Sequence, residues 1–540
     1  MIEPISLYDN LIIIAYLIAV IAIGLYAKNR DKNINDYFLA GKNLGWFAVG
    51  ISLFATNISS EHFIGLAGSG ATRGLAVGQF ELIAIFLLVL LGWFIAPIYK
   101  KFDISTTPEF LEKRFDASSR KLFSALSIFT YVMTKILVTL FAGGIFFNKI
   151  FGLSIFSSAI VIVLITGIYT LVGGFWAVIR TQVFQGILFF AGAILLTIFS
   201  LNEVGGFSAL RAKLPEEYFQ MFKAVNDPDF PWTGIIFGAP IIAFWYWCTD
   251  HYMVQRVLGA KSINDARSGT LFTAFLKIFP IFILVLPGLA AVALFPEIKG
   301  DEAYPVLIAS GILPIGVKGF IVAGFLAAMM SSLSAAFNSI AALYTIDFYK
   351  PKHPDASERT LVLVGRMSTI VVVVVVILLM PFVKVINSSI YIFLQSTQAF
   401  ISAPIAAVFL FGFILKKVNA KSAFLTLVVG EIFGLSRFVL ELLIKYGFIN
   451  NQRLVEYTQI NYLHFTIFLF LGSSALMLAL SYFYNKKVDV NLSGNNLVVG
   501  TQYDFEFVGK QNTGRKQFKI NIVLSSLLLI VVIGLFSLLN

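Results

Sequence analysis

Long apolar segments, separated by short polar loops, follow one another along the whole chain. About fourteen of them are long enough to cross the hydrocarbon core of a membrane, which takes roughly 20 helical residues. Because a segment surrounded by lipid must satisfy its own backbone hydrogen bonds, this pattern predicts an all-α integral membrane protein. The segments lie at residues 8–27, 44–70, 75–98, 118–149, 154–174, 177–200, 232–254, 267–296, 314–347, 361–384, 388–415, 420–445, 462–484 and 518–538.

Polar residues interrupt two of these segments at the depth where lipid tails would surround them. The first interruption is Asn57–His62, followed by the glycine-rich stretch Gly65–Gly70, and the second is Thr249–His251. Such breaks are tolerated only where the backbone lies against protein or a water-filled cavity. Paired breaks in corresponding positions are typical of transporter binding sites. Their spacing predicts a five-plus-five core of two repeats, each with a discontinuous first helix. An odd number of spans gives the two repeats opposite orientations.

This repeat pattern divides the chain into a core and flanking segments. The loop at 486–517 is predicted to be either a solvated linker or a regulatory segment. The predicted division is an N-terminal helix and cytoplasmic loop at 1–43, the first repeat at 44–200, an extracellular loop at 201–231, the second repeat at 232–415, two additional helices at 416–485, the cytoplasmic loop at 486–517 and a C-terminal helix at 518–540.

Charge is sparse and unevenly distributed. Charged residues make up 13% of the chain, about half their share in a soluble domain, and the formal net charge is +11. With the N-terminus outside, the loops predicted to be cytoplasmic carry about 26 Lys and Arg and the opposite loops about 10, as the positive-inside rule expects. The positive charge therefore indicates topology, with both termini extracytoplasmic, rather than a nucleic-acid partner.

Several polar side chains lie inside predicted spans and are candidates for function. Glu81 and Lys277 occupy corresponding spans after the two breaks, while Ser331–Ser332 and Gln395 lie in later spans. An unpaired intramembrane charge costs about 2.5–3.5 kcal/mol even on insertion scales, so such residues by default mark a functional site. The alternative for each is an interhelical hydrogen bond. We expect function for Glu81 and Lys277 together, whereas a single Ser or Gln favours the structural alternative.

The remaining intramembrane charges and the enzyme motifs are less informative. Lys135 and Arg437 lie inside spans but near neither break, which predicts snorkelling or structural pairing. The four histidines and one cysteine have no metal-ligand spacing. The stretch Gly68–Gly74 lacks the Walker A spacing and follows a membrane span rather than a strand. Without a nucleotide site, uphill transport would have to run on an ion gradient, and no enzyme activity is predicted.

Motifs distributed over most of residues 35–420 resemble those of the sodium/solute symporter family, and within it the sodium/glucose cotransporter branch. The resemblance implies a five-plus-five inverted repeat with extra helices at both ends, and Na⁺ as the co-transported ion. The matching stretches are Phe38–Lys42, Asn57–Gly70, Gly78–Glu81, Trp245–Asp250, Gln255–Arg256, Ala260–Ser262, Leu276–Lys277, Pro287–Gly288, Met330–Leu333, Phe337–Ser339, Asp347–Tyr349, Pro404–Phe409 and Gly434–Arg437.

The resemblance implies a sodium site made of neutral oxygens. Its ligands would be the backbone carbonyls of Ala55, Ile58 and Ala328 and the hydroxyls of Ser331 and Ser332. A small hard cation suits such oxygens, and carbonyls freed by an unwound helix supply them. No member of this set is a carboxylate that could titrate, which favours Na⁺ over H⁺.

The resemblance also implies a solute site and its gates. The outer gate would be formed by Leu66, Phe80 and Tyr391, and the inner gate by Tyr246. A hexose presents hydroxyls, which polar side chains can bind, and an apolar ring face, on which an aromatic ring can stack. The implied solute residues are Asn57, His62, Glu81, Tyr246, Trp247, Lys277 and Gln395.

Four positions depart from the family's pattern. Ala243 and Ala84 stand where sugar carriers of the family have polar residues, so the preferred sugar stays open. Gln182 replaces an Asp, and Ala335 a Ser, at positions that belong to a second sodium site in some members. Their replacement predicts one Na⁺ per solute.

The sequence thus predicts a symporter that imports a hexose, such as glucose or galactose, together with Na⁺ by alternating access. The first alternative is the same mechanism with another solute: myo-inositol, a sialic acid or an amino acid. Glu81 argues against anionic solutes, because it places a carboxylate at the substrate. The second alternative is a channel or a substrate sensor on the same fold. The expected partners are the solute, sodium and membrane lipid, without nucleic acid. The sequence makes no prediction of oligomeric state.

Overall fold

The computed structural model describes residues 5–26, 33–381, 389–484 and 515–539. Across these residues the regular structure is helical, with only isolated β-bridges such as that between Leu44 and Ala260. The prediction of an all-α protein is confirmed. Most of the loop predicted at 486–517 lies outside the described residues.

The first half of the chain contains the first break and the helices around it. Several helices continue into one another through wider π-helical turns, at Leu91–Ile95 and Tyr131–Ile136. The helices are α1 (Leu7–Tyr26), α2 (Ile34–Leu39), α3 (Trp46–Asn57), α4 (Ser60–Arg73), α5 (Gln79–Leu90), α6 (Ala96–Lys101), α7 (Thr107–Arg114), α8 (Ala117–Thr130), α9 (Leu137–Phe151), α10 (Ile155–Val204) and α11 (Phe207–Lys213).

The second half contains the second break and the C-terminal helices. Here the π-helical turns lie at Trp245–Thr249, Ile281–Val285 and Tyr344–Tyr349. The helices are α12 (Trp232–Phe237), α13 (Ala239–Phe244), α14 (His251–Leu258), α15 (Ile263–Leu276), α16 (Leu286–Leu294), α17 (Ala303–Ala309), α18 (Val317–Leu343), α19 (Lys350–Lys352), α20 (Glu358–Leu379), α21 (Ile390–Ile414), α22 (Ala420–Lys445), α23 (Gln452–Thr458), α24 (Tyr462–Tyr484) and α25 (Arg515–Leu538).

Both predicted breaks are real interruptions of a helix. Between α3 and α4 the backbone is extended at Ile58 (φ −77°, ψ 112°) and at Ser59 (φ −133°, ψ −175°). In the second half the helix widens into the π-turn Trp245–Thr249 and then extends at Asp250 (φ −68°, ψ 119°), whose carboxylate caps α14. Extended residues cannot continue the helical ladder, so the carbonyls just before each break are free for other partners.

The number of spans depends on where continuous helices are divided. Among the described residues, eleven helical stretches are long and apolar enough to cross a membrane. One of them, α10, has 50 residues and would be ~75 Å long if straight, well over twice the hydrocarbon thickness. It bends at Gly174, where φ is 52° and ψ is −152°. The count of about fourteen and the domain boundaries stay predictions.

Burial separates an inner group of helices from an outer shell. Of the 18 most apolar consecutive residues in Val317–Lys352, the stretch that contains α18, 94% are buried. The corresponding buried share is 28% in α1 and 33% in α24. The outer helices expose large apolar side chains such as Ile18 and Phe468, which is the arrangement expected where lipid rather than water surrounds the protein. The two breaks lie in the inner group, so any site at them is shielded from lipid.

Candidate functional site

A buried ion pair lies between the two breaks. Glu81 of α5 pairs with Lys277, which directly follows α15, and the two side chains are 3% and 1% exposed. The Nζ of Lys277 also donates a hydrogen bond of 2.7 Å to Oδ1 of Asn57. The Nδ2 of Asn57 in turn donates to the hydroxyl of Tyr246 at 3.1 Å. Because buried charges must be paired and hydrogen-bonded, this series of contacts fixes both breaks to α5 and α15.

All the residues that the resemblance implies for the solute line one cavity around this ion pair. The cavity has about 60 Å³ open to the centres of water molecules, enough for several waters at roughly 10–15 Å³ each. Ala84 and Ala243 also line it, so the wall is apolar at two of the four positions that depart from the family's pattern. The predicted solute residues in the lining are Asn57, His62, Glu81, Tyr246, Trp247, Lys277 and Gln395.

Aromatic rings close one end of the cavity. The rings of Phe80 and Tyr391 meet edge to face with centroids 5.9 Å apart, and His62 lies 6.4 Å from Tyr391. The hydroxyl of Tyr391 accepts a hydrogen bond of 3.3 Å from the amide of Gln395. Leu66, the third predicted outer-gate residue, is fully buried and does not line the cavity. We call Phe80 and Tyr391 the roof of the cavity.

A second pair of charged side chains lines the cavity beside Tyr246, and we call this part of the lining the floor. Lys135 and Glu61 are each 3% exposed and border the same cavity as Tyr246. The ammonium of Lys135 lies 4.0 Å from the centroid of the Tyr246 ring, a cation–π contact. The carboxylate of Glu61 accepts a hydrogen bond of 2.8 Å from the hydroxyl of Thr139. The floor therefore has one positive and one negative group, like the Glu81–Lys277 pair above it.

The sequence analysis was wrong about Lys135, which it placed away from both breaks. Lys135 lies in the π-helical turn Tyr131–Ile136, and such a turn changes which side chains face inward. The sequence did contain an indication of this position, because Glu61, an acidic residue inside the first break, needs a positive charge nearby. The structural pairing predicted for Arg437 is confirmed, since its guanidinium binds Glu441 at 2.7 Å and the carbonyl of Thr458 at 2.7 Å.

Four of the five residues implied for the sodium site, all except Ile58, meet where α18 crosses the first break. The hydroxyl of Ser331 lies within hydrogen-bonding distance of the carbonyl oxygens of Ala55 and Ala328, the latter at 3.2 Å. Ser332 donates to the carbonyl of Thr56 at 3.0 Å. Hydroxyls and freed carbonyls thus converge from two helices, and all of these side chains are buried.

The sequence analysis anticipated one detail of this region, the position of Ile58 in the break, and missed another, the contacts of Thr56. Ile58 lies in the break itself, so its carbonyl belongs to neither helical ladder. The carbonyl of Thr56 accepts hydrogen bonds from Ser332 and, at 2.9 Å, from the hydroxyl of Tyr252 in α14. The carbonyl of Thr56 therefore connects the first break to the helix that follows the second break. The sequence could not show this, because a backbone carbonyl carries no residue-specific signal.

Gln182 contacts these oxygens, and Ala335 lies one helical turn beyond Ser331 on α18. The Nε2 of Gln182 donates to the hydroxyl of Thr56 at 2.9 Å and to the carbonyl of Ser331 at 3.1 Å. Its buried Oε1 has no hydrogen-bond partner within the described part of the chain. Ala335 is fully buried on α18. An amide N–H₂ group at this position offers donors to the surrounding oxygens and brings no negative charge.

Discontinuous helices, an oxygen-rich crossing beside one of them and a central polar cavity define a secondary transporter. The chain belongs to the Sodium:solute symporter family, and the model of that family matches residues 37–430. It is 35% identical to sodium/glucose cotransporter 1 of Ovis aries, over 91% of this chain and 82% of that protein. It is 36% identical to sodium/myo-inositol cotransporter 2 of Sus scrofa, over 85% of this chain and 74% of that protein.

Solved structures agree with the fold. A Na⁺-coupled sialic acid symporter in a substrate-bound, outward-open state has a TM-score of 0.76 at 24% identity, covering 89% of this chain and 98% of that one. A transporter of the nucleobase-cation-symport-1 family has a TM-score of 0.54 at 16% identity, covering 87% of this chain and all of that one. The chain is thus a multi-pass membrane protein and a sodium-coupled solute symporter, and the prediction of Na⁺ as the co-transported ion is confirmed.

Proposed function

We propose that this symporter imports a neutral polyhydroxylated solute, a hexose such as glucose or galactose, by alternating access. The observation that carries this proposal is the hydrogen-bonded series Glu81–Lys277–Asn57–Tyr246 in the wall of the central cavity. Carboxylate, ammonium, amide and phenol groups together can accept from and donate to the alternating hydroxyls of one sugar ring.

The charge of the cavity supports a neutral solute. Glu81 and Lys277 cancel each other, and Glu61 and Lys135 add one further charge of each sign. An anion such as a sialic acid would need a surplus cation, because an unpaired charge in a buried site is costly. Trp247, which lies in the same wall, offers a face for the apolar side of a sugar ring.

Solute binding in this site requires the ion pair to share its hydrogen bonds. A hydroxyl placed between Glu81 and Lys277 donates to the carboxylate and accepts from the ammonium, so neither charge loses its partner. Hydrogen bonds to charged groups contribute about 1.5–3 kcal/mol each, more than neutral ones. The pair is therefore suited to binding a hydroxyl and releasing it again.

Sodium would bind on the other side of the same break. The proposed ligands are the carbonyls of Ala55, Ile58 and Ala328 and the hydroxyls of Ser331 and Ser332, which turn their lone pairs to the ion when it is bound. Coupling follows from adjacency, since Asn57 lies between Ala55 and Ile58 in the chain. An ion that holds the break in one conformation also fixes the amide that binds the solute.

We propose a stoichiometry of one Na⁺ per solute, because Gln182 and Ala335 supply neither a carboxylate nor a hydroxyl for a second ion. The energetics are sufficient. At 100 mV one charge supplies about 2.3 kcal/mol, and a tenfold Na⁺ gradient adds about 1.4 kcal/mol. The sum of about 3.7 kcal/mol supports roughly 500-fold accumulation.

The orientation and the outer gate complete the proposal. The excess of cations in alternate loops supports both termini lying outside the cell. With that orientation the roof faces the external medium, so Phe80 and Tyr391, with Leu66 behind them, are proposed as the outer gate. Tyr246 at the floor is proposed as the inner gate.

The experiment is uptake into proteoliposomes from a panel of radiolabelled solutes: glucose, galactose, myo-inositol, a sialic acid and an amino acid. We expect accumulation of a hexose only with an inward Na⁺ gradient. Myo-inositol is the second candidate, because relatives of nearly equal identity are named for glucose and for myo-inositol. Accumulation of sialic acid or of the amino acid in place of sugars would refute the proposed solute class, and equilibration without accumulation would indicate a channel.

A further inference from the structure

A second, larger cavity opens on the side of the molecule where the roof lies. It is bounded by the ends of α4 and α9, the loop before α17 and the start of α21, and about 520 Å³ is open to the centres of water molecules. Ligand pockets typically measure roughly 300–1,000 Å³. Among the described residues, none lines both this cavity and the central one, and the proposed function does not use this second cavity.

The walls of this cavity differ in character. Phe141, Ile145 and Ile155 are apolar lining residues, and Asp301 and Ser389 are among the polar ones. Among the described residues the charged side chains of the lining are Lys149, Lys299, Asp301 and Glu302, which sum to zero. A described lining with apolar side chains and polar groups of zero net charge fits a molecule with an apolar face and several hydroxyls better than it fits an ion.

Two polar atoms in this lining are buried and lack partners. They are Oδ1 of Asp301 and Oγ of Ser389, neither of which has a hydrogen-bond partner among the described residues. The other carboxylate oxygen of Asp301 accepts a hydrogen bond of 3.0 Å from the backbone N–H of Ile390. Leaving a buried acceptor unsatisfied costs about 1–3 kcal/mol. Both atoms are closed to water in this conformation, so a ligand hydroxyl reaches them when the side chain turns toward the cavity and then relieves this cost.

These atoms lie directly beside the proposed outer gate. Ile390, the partner of Asp301, immediately precedes Tyr391. On the other side, Asp301 lies so close to Gly68 that a Cβ there would be 2.7 Å from its Oδ1. Gly68 is two residues beyond Leu66 on α4. The Asp301 loop therefore contacts both segments that carry gate residues.

We propose that this cavity is a vestibule site, at which the neutral polyhydroxylated solute binds before it passes the outer gate. Asp301 and Ser389 bind its hydroxyls, and the wall formed by Phe141 and the two isoleucines accepts its apolar face. This inference rests on the proposed function for the identity of the solute. It adds a second, weaker site that does not depend on sodium, because none of the proposed sodium ligands lies in this cavity.

The test is equilibrium binding of the radiolabelled hexose that the full-length protein transports, measured with and without Na⁺. Wild type is expected to bind two sugars per chain at high concentration, one of them independently of Na⁺. Glu81→Ala should abolish the Na⁺-dependent site and keep the other. Asp301→Asn, which keeps an acceptor for Ile390, and Ser389→Ala should each weaken the Na⁺-independent site at least tenfold. Glu216→Gln, an exposed carboxylate outside both cavities, is the matched control.

The outcomes separate the two proposals. One sugar per chain in wild type, with Na⁺-dependent binding only, overturns the vestibule site and leaves the central site standing. Two sugars whose binding is unaffected by Asp301→Asn and Ser389→Ala also overturn it. Failure of every hexose to bind or to be transported would instead refute the proposed function. If Asp301→Asn does not fold, Ser389→Ala decides, because Ser389 forms no hydrogen bond through its hydroxyl in the described structure.

Discussion

The ammonium of Lys135 lies 4.0 Å from the ring centroid of Tyr246 and faces it across the floor of the central cavity. Lys135 also lies 5.2 Å from the ring of Tyr252, whose hydroxyl donates to the carbonyl of Thr56 at 2.9 Å. One side chain thus contacts the proposed inner gate and a tyrosine that is hydrogen-bonded to the backbone of the first break. Lys135 is in position to hold the floor closed while both sites are filled.

Removal of the ammonium is expected to loosen the floor. Lys135→Met keeps the aliphatic stem and loses a cation–π contact that is worth about 0.5–2 kcal/mol, which corresponds to roughly 2- to 30-fold. We expect Na⁺-driven uptake to fall by that range and Na⁺ flux without solute to rise, both measured in proteoliposomes. Lys261→Met, at an exposed loop position, is the control. Wild-type values for both fluxes in Lys135→Met would contradict this role.

The central ion pair gives a prediction about solute affinity. Glu81→Gln keeps the shape of the side chain and loses charge-assisted hydrogen bonds worth about 1.5–3 kcal/mol, so sugar affinity should fall at least tenfold. Na⁺ binding should survive, because Glu81 is not among the proposed ion ligands. Glu203→Gln, at an exposed position, serves as the matched neutralisation. Normal transport by Glu81→Gln, Lys277→Ala and Gln395→Ala would place the solute site elsewhere.

The hydroxyls of α18 give a prediction about the ion. Ser332→Ala removes one proposed ligand, and Ser331→Ala removes the hydroxyl that lies between the carbonyls of Ala55 and Ala328. We expect a large rise in the Na⁺ concentration for half-maximal uptake in each variant. Ser396→Ala on α21, whose hydroxyl hydrogen-bonds within its own helix and to no other described residue, should leave this concentration unchanged. An unaltered Na⁺ dependence in the double variant would refute the assignment.

The stoichiometry is open to measurement and to redesign. Reversal potentials in proteoliposomes should fit one Na⁺ per solute. Because Gln182 and Ala335 border the oxygens around Thr56 and Ser331, the double variant Gln182→Asp/Ala335→Ser supplies a carboxylate and a hydroxyl there. We expect its reversal potential to move toward two Na⁺ per solute. A wild-type protein that already fits two would show that Gln182 does not exclude the second ion.

The vestibule site predicts a dependence on external pH. Burial raises the pKa of Asp301, which lies in the loop before α17, to about 6. The carboxylate is therefore ionised above that pH, and protonation below it removes an acceptor for solute hydroxyls. Na⁺-independent binding should weaken as the external pH falls from 7 to 5, about one unit either side of the pKa. The other charged groups in the described lining of the cavity are Lys149, Lys299 and Glu302. Asp301→Asn should abolish this dependence, and an identical pH profile in that variant would contradict it.

The sequence was sufficient to locate both breaks and the central polar residues. Glu81 and Lys277 could be singled out because a charge inside a span is rare and needs a partner, and the structure pairs them. The breaks could be located because polar residues and glycines interrupt an apolar pattern. These signals are strong in a membrane protein, where lipid excludes almost every alternative arrangement.

The residues that the sequence missed depend on how neighbouring helices face each other. Lys135 reaches the floor from a π-helical turn, which shifts the register of the helix in a way that hydrophobic periodicity does not reveal. Thr56 takes part through its carbonyl, so its side-chain identity carries no information about that contact. The number of spans stayed open because α10 bends at Gly174 and yet continues as one helix, so that it can be counted as one span or as two.

The break at Ile58 and Ser59 has a consequence for how such a carrier can diverge. Most oxygens proposed to hold the ion belong to the main chain, which a point mutation does not delete, whereas the groups proposed for the solute are side chains that one codon change replaces. Selection can therefore alter the transported solute while the proposed sodium site is inherited nearly unchanged. On this view Ala84 and Ala243, small residues in the cavity wall, are the positions where substitution would first change which solute is transported.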